Sequence, residues 1–180
     1  GHLTLVDFDS VSESNINRQI VATMQTIGRP KVDCFKERIL HINPDCIVLA
    51  LNAKLTPDNI DDFDLKSYDF VVDCIDMVAS KVALIAYCHN KNIKIISSMG
   101  TGNRSQIPQF EICDIFKTEN DGLAKVLRKQ LKEVGVKHTT VIYSKQDAKK
   151  QSEIGSVAYF PAASGIMISA YVINEFLKEN

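Results

Sequence analysis

The chain has 180 residues, of which 45% are apolar, and its formal net charge is −1 at pH 7. This length and apolar content suffice for one core and predict a single domain. The near-neutral charge excludes a protein that attracts nucleic acid through an overall basic field. Five cysteines without a C-x-x-C pair argue against a structural zinc site.

The odd number of cysteines, the lack of a signal-peptide pattern and the lack of a long apolar segment predict a cytoplasmic protein with no membrane association. Charge is unevenly distributed along the chain. Lysine and arginine number 7 against 13 acidic residues over positions 1–76, but 9 against 4 over positions 117–150. The second stretch suits contact with a polyanion, although solvated helix faces give the same pattern.

The first predicted element is a buried strand over residues 3–6, which ends in Asp7-Phe8-Asp9. Ligands of open α/β sheets lie at the carboxyl ends of the strands, where an acidic side chain can bind both hydroxyls of a ribose. Asp7 is therefore the first candidate binding residue. The alternative is that Asp7 only opens a turn.

A polar loop over residues 14–31 follows this strand. It contains Ser14, Asn15 and Arg18, and it ends with Lys31 directly after Gly28-Arg29-Pro30. An arginine fork and a lysine point charge near a ribose-binding acid suit a polyphosphate chain. The loop therefore predicts a nucleotide phosphate site.

Strand and helix patterns then alternate. Pro30 marks a helix start, and the helix ends at Asn43-Pro44. The further elements predicted in this half are a strand over 46–53, a strand from residue 70, a helix over 78–90 and a strand over 93–97. This β-α-β order predicts a parallel sheet that is covered on both faces.

Asp76 lies at the carboxyl end of its predicted strand. A carboxylate there can hold Mg²⁺ against phosphates, or it can cap the following helix without any metal. Asp73 lies three residues earlier, near the same strand end, and either supports Asp76 or binds a neighbouring loop. The segment Met99 to Asn103 carries two glycines that permit close approach of a ligand, or it is a simple connection.

The pattern changes after residue 107. Pro108 excludes a central strand, so residues 109–113 are predicted as an edge segment. A helix is predicted over 121–134, strands over 140–143 and 156–160, and a closing helix over 162–177. The small residues that open the closing helix suit either close packing or a dimer contact.

Three motifs of the first half carry a resemblance to a known family: D-x-D-x-V over 7–11, S-N-x-x-R-Q over 14–19 and G-x-x-K over 28–31. Together they resemble the ThiF/MoeB/HesA-type adenylating superfamily, which is related to the ubiquitin-activating enzymes. Residues 122–128 and the segments 155–157 and 163–165 are similar to the branch of bacterial tRNA threonylcarbamoyladenosine dehydratases. The resemblance extends over nearly the whole chain.

The resemblance implies a Rossmann-like, mostly parallel α/β sheet with helices on both faces. It implies an ATP-dependent enzyme that adenylates a carboxylate and acts through an acyl adenylate, with dehydration of threonylcarbamoyladenosine on tRNA to its cyclic form as the reaction. The implied binding set is Asp7 on the ribose, with Ser14, Asn15, Arg18 and Lys31 on the phosphates. Asp76 would hold Mg²⁺, and Arg18, Lys31 and Asp76 would be the catalytic residues.

Two alternatives stay open at this point. The first is an activating enzyme that adenylates the C-terminus of a ubiquitin-like or sulfur-carrier protein, with that small carrier protein as its partner. The second is a non-catalytic nucleotide-binding module. The resemblance also implies a homodimer and a division of the single domain of residues 1–180 into a nucleotide-binding part, 1–104, and a part for substrate, tRNA and dimer contacts, 105–180.

One feature departs from the family pattern. Family members begin with a strand and a glycine-rich G-x-G-G-x-G-S turn, and this pattern does not precede Leu3. Backbone amides of such a turn bind nucleotide phosphates. The expectation is that the first β-α unit is absent from this chain and that the chain on its own is inactive.

Two side-chain groups of the second half have competing interpretations. Cys113 is a candidate thioester nucleophile for the protein-activating alternative, or a small apolar residue in a strand. The basic residues Lys125, Arg128, Lys129 and Lys132 either pack their stems on the helix surface or contact phosphates of a tRNA stem-loop, with Lys145, Lys149 and Lys150 extending that surface.

Overall fold

The computed structural model describes residues 1–149 and 154–178. Within these residues the chain forms six strands, β1 to β6, and four α-helices, α1 to α4. The contacts divide it into two compact units, Gly1–Leu55 and Thr56–Asn180, which we call the first and second units. Lys150, which was predicted to extend the basic surface, lies outside the described residues.

The first unit is a β-α-β element. Strand β1 (His2–Val6) pairs in parallel with β2 (Ile47–Leu51), and α1 (Lys31–Ile42) lies between them in the chain. Pro30 occupies the N-cap position of α1, because its fixed φ suits a helix start and its missing N–H costs no helical hydrogen bond there. The positions of the predicted strands and of the predicted helix start are confirmed. The prediction that the first strand is buried is wrong, since Leu3 is 48% and Val6 39% exposed.

The loop between β1 and α1 is closed at its base. Ser10 and Pro30 form an antiparallel bridge, and the backbone N–H of Val11 donates to the carbonyl of Arg29 at 2.9 Å. Val11 also packs with Val21 and Cys34 in a small buried cluster. The polar loop is therefore held as an ordered excursion from the strand end.

The second unit contains a four-stranded sheet in the order β3-β4-β6-β5. Its strands are β3 (Val71–Asp73), β4 (Ile95–Ser98), β5 (Glu111–Asp114) and β6 (Thr140–Tyr143). The first three strands of this order are parallel, and β5 pairs with β6 in the antiparallel sense. The predicted edge segment after Pro108 is thus an edge strand.

Helices cover both faces of this sheet. Ile85 of α2 (Val78–Lys91) and Leu127 of α3 (Gly122–Glu133) share a cluster with Val141. Ile168 of α4 (Tyr159–Leu177) packs instead with Ile142. Because adjacent strand residues point to opposite faces, α2 and α3 cover one face and α4 covers the other. The predicted mostly parallel α/β architecture with helices on both faces is confirmed.

The end of the chain differs from its prediction in two respects. Residues 156–160 are not a strand, because α4 begins at Tyr159 and accommodates Pro161 in its first turn, where a proline does not disrupt the helix. The resulting 19-residue helix is long and apolar enough to cross a membrane by length and composition alone. The expected absence of a long apolar segment was therefore wrong, although Phe160 and Ile168 are buried within the unit.

Candidate functional site

The carboxyl end of β1 carries a linked group of three charged residues. The half-buried Asp7 accepts a hydrogen bond from the backbone N–H of Asp9 at 2.8 Å, which folds the Asp7-Phe8-Asp9 turn. The carboxylate of Asp9 pairs with Nζ of Lys31 at 2.6 Å. Lys31 is 8% exposed, so its stem is buried while its ammonium group meets Asp9. The structure thus brings Asp7 and Lys31, which are 24 positions apart, to one turn.

Ser14, Asn15 and Arg18 form a short turn of their own. Asn15 is buried and accepts a hydrogen bond from the backbone N–H of Ser12 at 3.1 Å. The guanidinium of the half-buried Arg18 donates to the carbonyl of Ser14 at 2.6 Å and to Oδ1 of Asn17 at 2.9 Å. Asn15 therefore stabilises the turn, and Arg18 is oriented by the turn's own acceptors.

Asp76 follows β3 in the second unit and is exposed. The N-cap of α2 is Met77, so the helix-capping interpretation of Asp76 is wrong. Its carboxylate makes no hydrogen bond or ion pair within residues 1–149 and 154–178. An exposed carboxylate with free lone pairs at a strand end is suited to a cation or a hydrogen-bond donor from a ligand.

Asp73, three residues before Asp76, has the opposite environment. It is 1% exposed, and Oδ2 binds Nζ of Lys81 at 2.8 Å and Oγ of Ser97 at 2.6 Å. Its Oδ1 accepts the backbone N–H of Ile75 at 3.0 Å. This last bond fixes the turn between β3 and Asp76. Asp73 is therefore a supporting residue for Asp76.

A second buried ion pair orders the loop that follows β4. Arg104, 4% exposed, donates to the carbonyl of Gly100 at 2.8 Å, to the carbonyl of Gln146 at 2.9 Å and to Oδ2 of Asp121 at 3.1 Å. Since β3, β4 and β6 are parallel, the segments after these strands leave the sheet at one edge. We call the three segments, 74–77, 99–104 and 144–147, the carboxyl rim.

Sequence reasoning missed Asp9, Lys81 and Arg104. Lys81 had a visible signal, because it stands in the apolar series Lys81, Leu84, Ile85 and Cys88 at helical spacing, where a lysine indicates a buried partner. Asp9 also had a signal, because it is the second acid of the D-x-D motif at the end of the first strand, and a lysine follows at position 31. Arg104 lies in a loop without periodicity and carried no signal.

Cys113 lies in β5, half-buried against the core of the second unit. Burial, together with the carboxylate of Glu111, raises the pKa of the Cys113 thiol. A raised pKa lowers the thiolate fraction at neutral pH, so the packing interpretation of Cys113 is the better supported one.

Residues 1–149 and 154–178 contain no cluster of three His, Cys, Asp or Glu side chains that could hold a metal ion. Metal binding by protein ligands alone therefore has little support in this part of the chain. A divalent cation at Asp76 would therefore share its coordination with substrate phosphates, as Mg²⁺ usually does. The carboxyl rim of the second unit and, separately, the polar turn at Asp7 in the first unit are each typical of a nucleotide-binding α/β protein.

The chain belongs to the ThiF family, whose profile matches residues 1–179. It is 35% identical over 201 aligned residues to the tRNA threonylcarbamoyladenosine dehydratase of Bacillus subtilis, covering 99% of this chain and 78% of that protein. It is 40% identical over 132 residues to the enzyme of the same name from Escherichia coli, covering 73% of this chain and 49% of that enzyme. The segment aligned with the E. coli enzyme therefore covers about half of that enzyme's sequence.

Solved structures give the same relationship. The E. coli tRNA threonylcarbamoyladenosine dehydratase in complex with AMP superposes with a TM-score of 0.91 at 30% identity, covering 99% of this chain and 77% of the other. Its complex with ATP gives a TM-score of 0.87 at 30% identity, covering 100% of this chain and 79% of the other. The Rossmann-like fold expected from the sequence is thereby confirmed.

Proposed function

We propose that this protein, at its natural length, carries out ATP-dependent dehydration of threonylcarbamoyladenosine on tRNA to its cyclic form. The similarity to dehydratases of that name over 99% of the chain carries the proposal. The exposed carboxylate of Asp76 at the carboxyl rim, which has no partner within residues 1–149 and 154–178, supports it, because ligands of open α/β sheets bind at the carboxyl ends of the strands. In this proposal residues 1–104 carry the nucleotide-binding part and residues 105–180 face the substrate.

The substrate carboxylate attacks the α-phosphate of ATP, which forms an acyl adenylate and releases pyrophosphate. An internal nucleophile of the substrate then attacks the acyl carbon and loses its proton, so that the ring closes and AMP leaves. Asp7 binds the ribose hydroxyls, and the local charges of Arg18 and Lys31 stabilise the phosphates. Ser14 and Asn15 contribute to the phosphate site, in the case of Asn15 by holding the turn that presents Arg18. Asp9 keeps the ammonium group of Lys31 in a fixed position.

Mg²⁺ is the metal proposed for Asp76. The fit rests on donor chemistry, since Mg²⁺ takes one or two carboxylate ligands and completes its shell with phosphates and water. Asp76 offers such a ligand, whereas both carboxylate oxygens of Asp73 are already bound by protein donors.

The experiment is mass spectrometry of nucleosides from tRNA bearing threonylcarbamoyladenosine, incubated with ATP, Mg²⁺ and the protein at its natural length. We expect a nucleoside lighter by one water. The Asp76→Asn variant should lose at least about 100-fold in rate. Asp69→Asn is the matched control, because Asp69 is exposed and precedes β3, at the opposite end of that strand.

Absence of the lighter nucleoside, with ATP binding demonstrated for the same sample, contradicts the dehydratase proposal. ATP–pyrophosphate exchange that requires a small carrier protein would then establish the protein-activating alternative. Equal rates for Asp76→Asn and Asp69→Asn would instead remove Asp76 from the site while keeping the reaction.

We further propose that the protein is a cytoplasmic homodimer. The five cysteines are free thiols, which suits a reducing compartment. Helix α4 exposes Ile166, Ile173 and Leu177, and burial against another chain would remove this apolar row from water. Light scattering checks the assembly, and a mass equal to one chain over the working concentration range contradicts it.

A further inference from the structure

Helix α3 divides its residues sharply between a buried and a basic side. Ala124, Leu127 and Leu131 are 0% exposed and face the core of the second unit. Lys125 and Lys129 are exposed on the other side, as is Lys132. At 3.6 residues per turn the three lysines fall within about 60° of one another, opposite the leucines. We call these three lysines the basic face of α3.

Most of the lysine side chains on this face have no ion-pair or ring partner in the described part of the protein. No lysine of the basic face forms an ion pair with another residue in the described ranges, 1–149 and 154–178. Lys132 lies over the ring of Phe116 at 5.6 Å, so one of the three has a packing role. Lys125 and Lys129 therefore carry two ammonium groups that are free for an outside partner.

Two other basic residues of this region have structural partners. Arg128 donates to the carbonyl of Thr118 at 2.9 Å and also to its hydroxyl group. Lys145 pairs with Glu111 at 2.9 Å. Arg128 and Lys145 were included in the sequence-based phosphate-contact surface. Because both side chains hold parts of the fold together, we leave these two residues out of that surface.

We infer that the basic face of α3 binds tRNA through its phosphates, an inference that rests on the proposed function. Residues four apart on a helix place their Cβ atoms about 5–6 Å from each other, so Lys125 and Lys129 can reach neighbouring phosphates with flexible stems. Lysine is a compact point charge without a preferred base partner here, so the contact positions the RNA without reading its sequence.

The geometry also connects this face to the carboxyl rim. Asp121 caps α3 by accepting the N–H of Ala124 at 2.8 Å, and the same carboxylate pairs with Arg104. Arg104 in turn binds the carbonyls of Gly100 and Gln146. The helix that holds the RNA is thereby fixed to two of the three rim segments.

The test is tRNA binding by fluorescence anisotropy at several salt concentrations, with the protein at its natural length. We compare Lys125→Gln/Lys129→Gln with the matched control Lys66→Gln/Lys91→Gln, whose lysines are equally exposed and lie outside α3. The first variant should bind about fivefold to thirtyfold more weakly than wild type. Its slope of log Kd against log salt concentration should fall by about 1.5.

Kinetics separate this inference from the function on which it rests. The Lys125→Gln/Lys129→Gln variant should show a raised KM for tRNA with kcat nearly unchanged, since a phosphate contact binds substrate and transition state alike. Equal tRNA affinity of the two double variants, with wild-type protein active, overturns the inference alone. Wild-type protein that makes no cyclic nucleoside overturns the proposed function instead.

Discussion

Replacing Lys81 by methionine tests the most deeply buried charge of the second unit. The side chains of Lys81 and Asp73 are both 0% exposed, and Nζ lies 2.8 Å from Oδ2 of Asp73. Methionine fills a similar volume and removes the charge. Asp73 then keeps only Ser97 and the N–H of Ile75 as donors.

The magnitude follows from leaving one buried charge without its partner. Removing one member of a buried ion pair costs about 3–5 kcal/mol. For a chain of 180 residues a loss of that size lowers Tm by roughly 6–20 °C. The double variant Asp73→Asn/Lys81→Met removes both charges together and should recover most of the loss, because asparagine still accepts the N–H of Ile75.

The assays are chemical denaturation of the wild type, both single variants and the double variant, together with turnover of tRNA. The cycle gives the coupling between Asp73 and Lys81 directly. A second double variant, Asp73→Leu/Lys81→Met, also lacks both charges but cannot accept the N–H of Ile75. Because this hydrogen bond fixes the turn before Asp76, the asparagine version should keep more activity than the leucine version.

Two results would refute this reasoning. First, Lys81→Met could lower the free energy of unfolding by less than about 1 kcal/mol. The Asp73–Lys81 pair would then contribute no more than a solvent-exposed ion pair does. Second, equal kcat in the two double variants, at comparable stability, would show that Asp73 does not position Asp76.

Three further predictions concern the candidate site. Asp9→Asn should weaken ATP binding about threefold to tenfold, measured by calorimetry, because Lys31 loses the carboxylate that orients it; an unchanged Kd contradicts this role. Gly100→Ala should leave Tm unchanged, since a Cβ there meets no protein atom within 4 Å. It should lower turnover of tRNA, because the added methyl group would hinder a substrate that approaches the loop. Equal turnover would show that the segment Met99 to Asn103 is a simple connection. Cys113→Ser should keep turnover within about twofold, given the raised pKa of its thiol; loss of activity would support a thioester step.

Elements with regular apolar spacing could be predicted from the sequence. Helices α1 and α3 were each placed within a few residues, because their periodicity comes directly from the face that they bury. Strand β1 was placed from its apolar run alone, since Leu3 and Val6 are exposed. The segment from 156 to 160 was misassigned, since Val157, Tyr159 and Phe160 have high strand propensity. Propensity is a weak signal where a helix can bury the same side chains, and Phe160 is fully buried in α4.

The candidate site was only partly predictable for a different reason. Asp7, Lys31 and Asp76 could be proposed as candidates because strand ends and a motif mark them. Their partners Asp9 and Lys81 were not found, since an ion pair between distant positions depends on how the strands and helices pack. The sequence likewise left the capping and metal-binding interpretations of Asp76 open, and the N-cap position of Met77 was needed to exclude capping.

Asp73 and Asp76 show how environment assigns two like residues to different tasks. Asp73 ends β3 and Asp76 lies three positions later. The first is enclosed by three protein donors, and the second is exposed and has no donor within residues 1–149 and 154–178. A carboxylate whose oxygens are all bound by protein groups has no capacity left for a cation. The bound aspartate can therefore only shape the turn, and that turn holds Asp76, the proposed ligand-binding carboxylate, at the carboxyl rim.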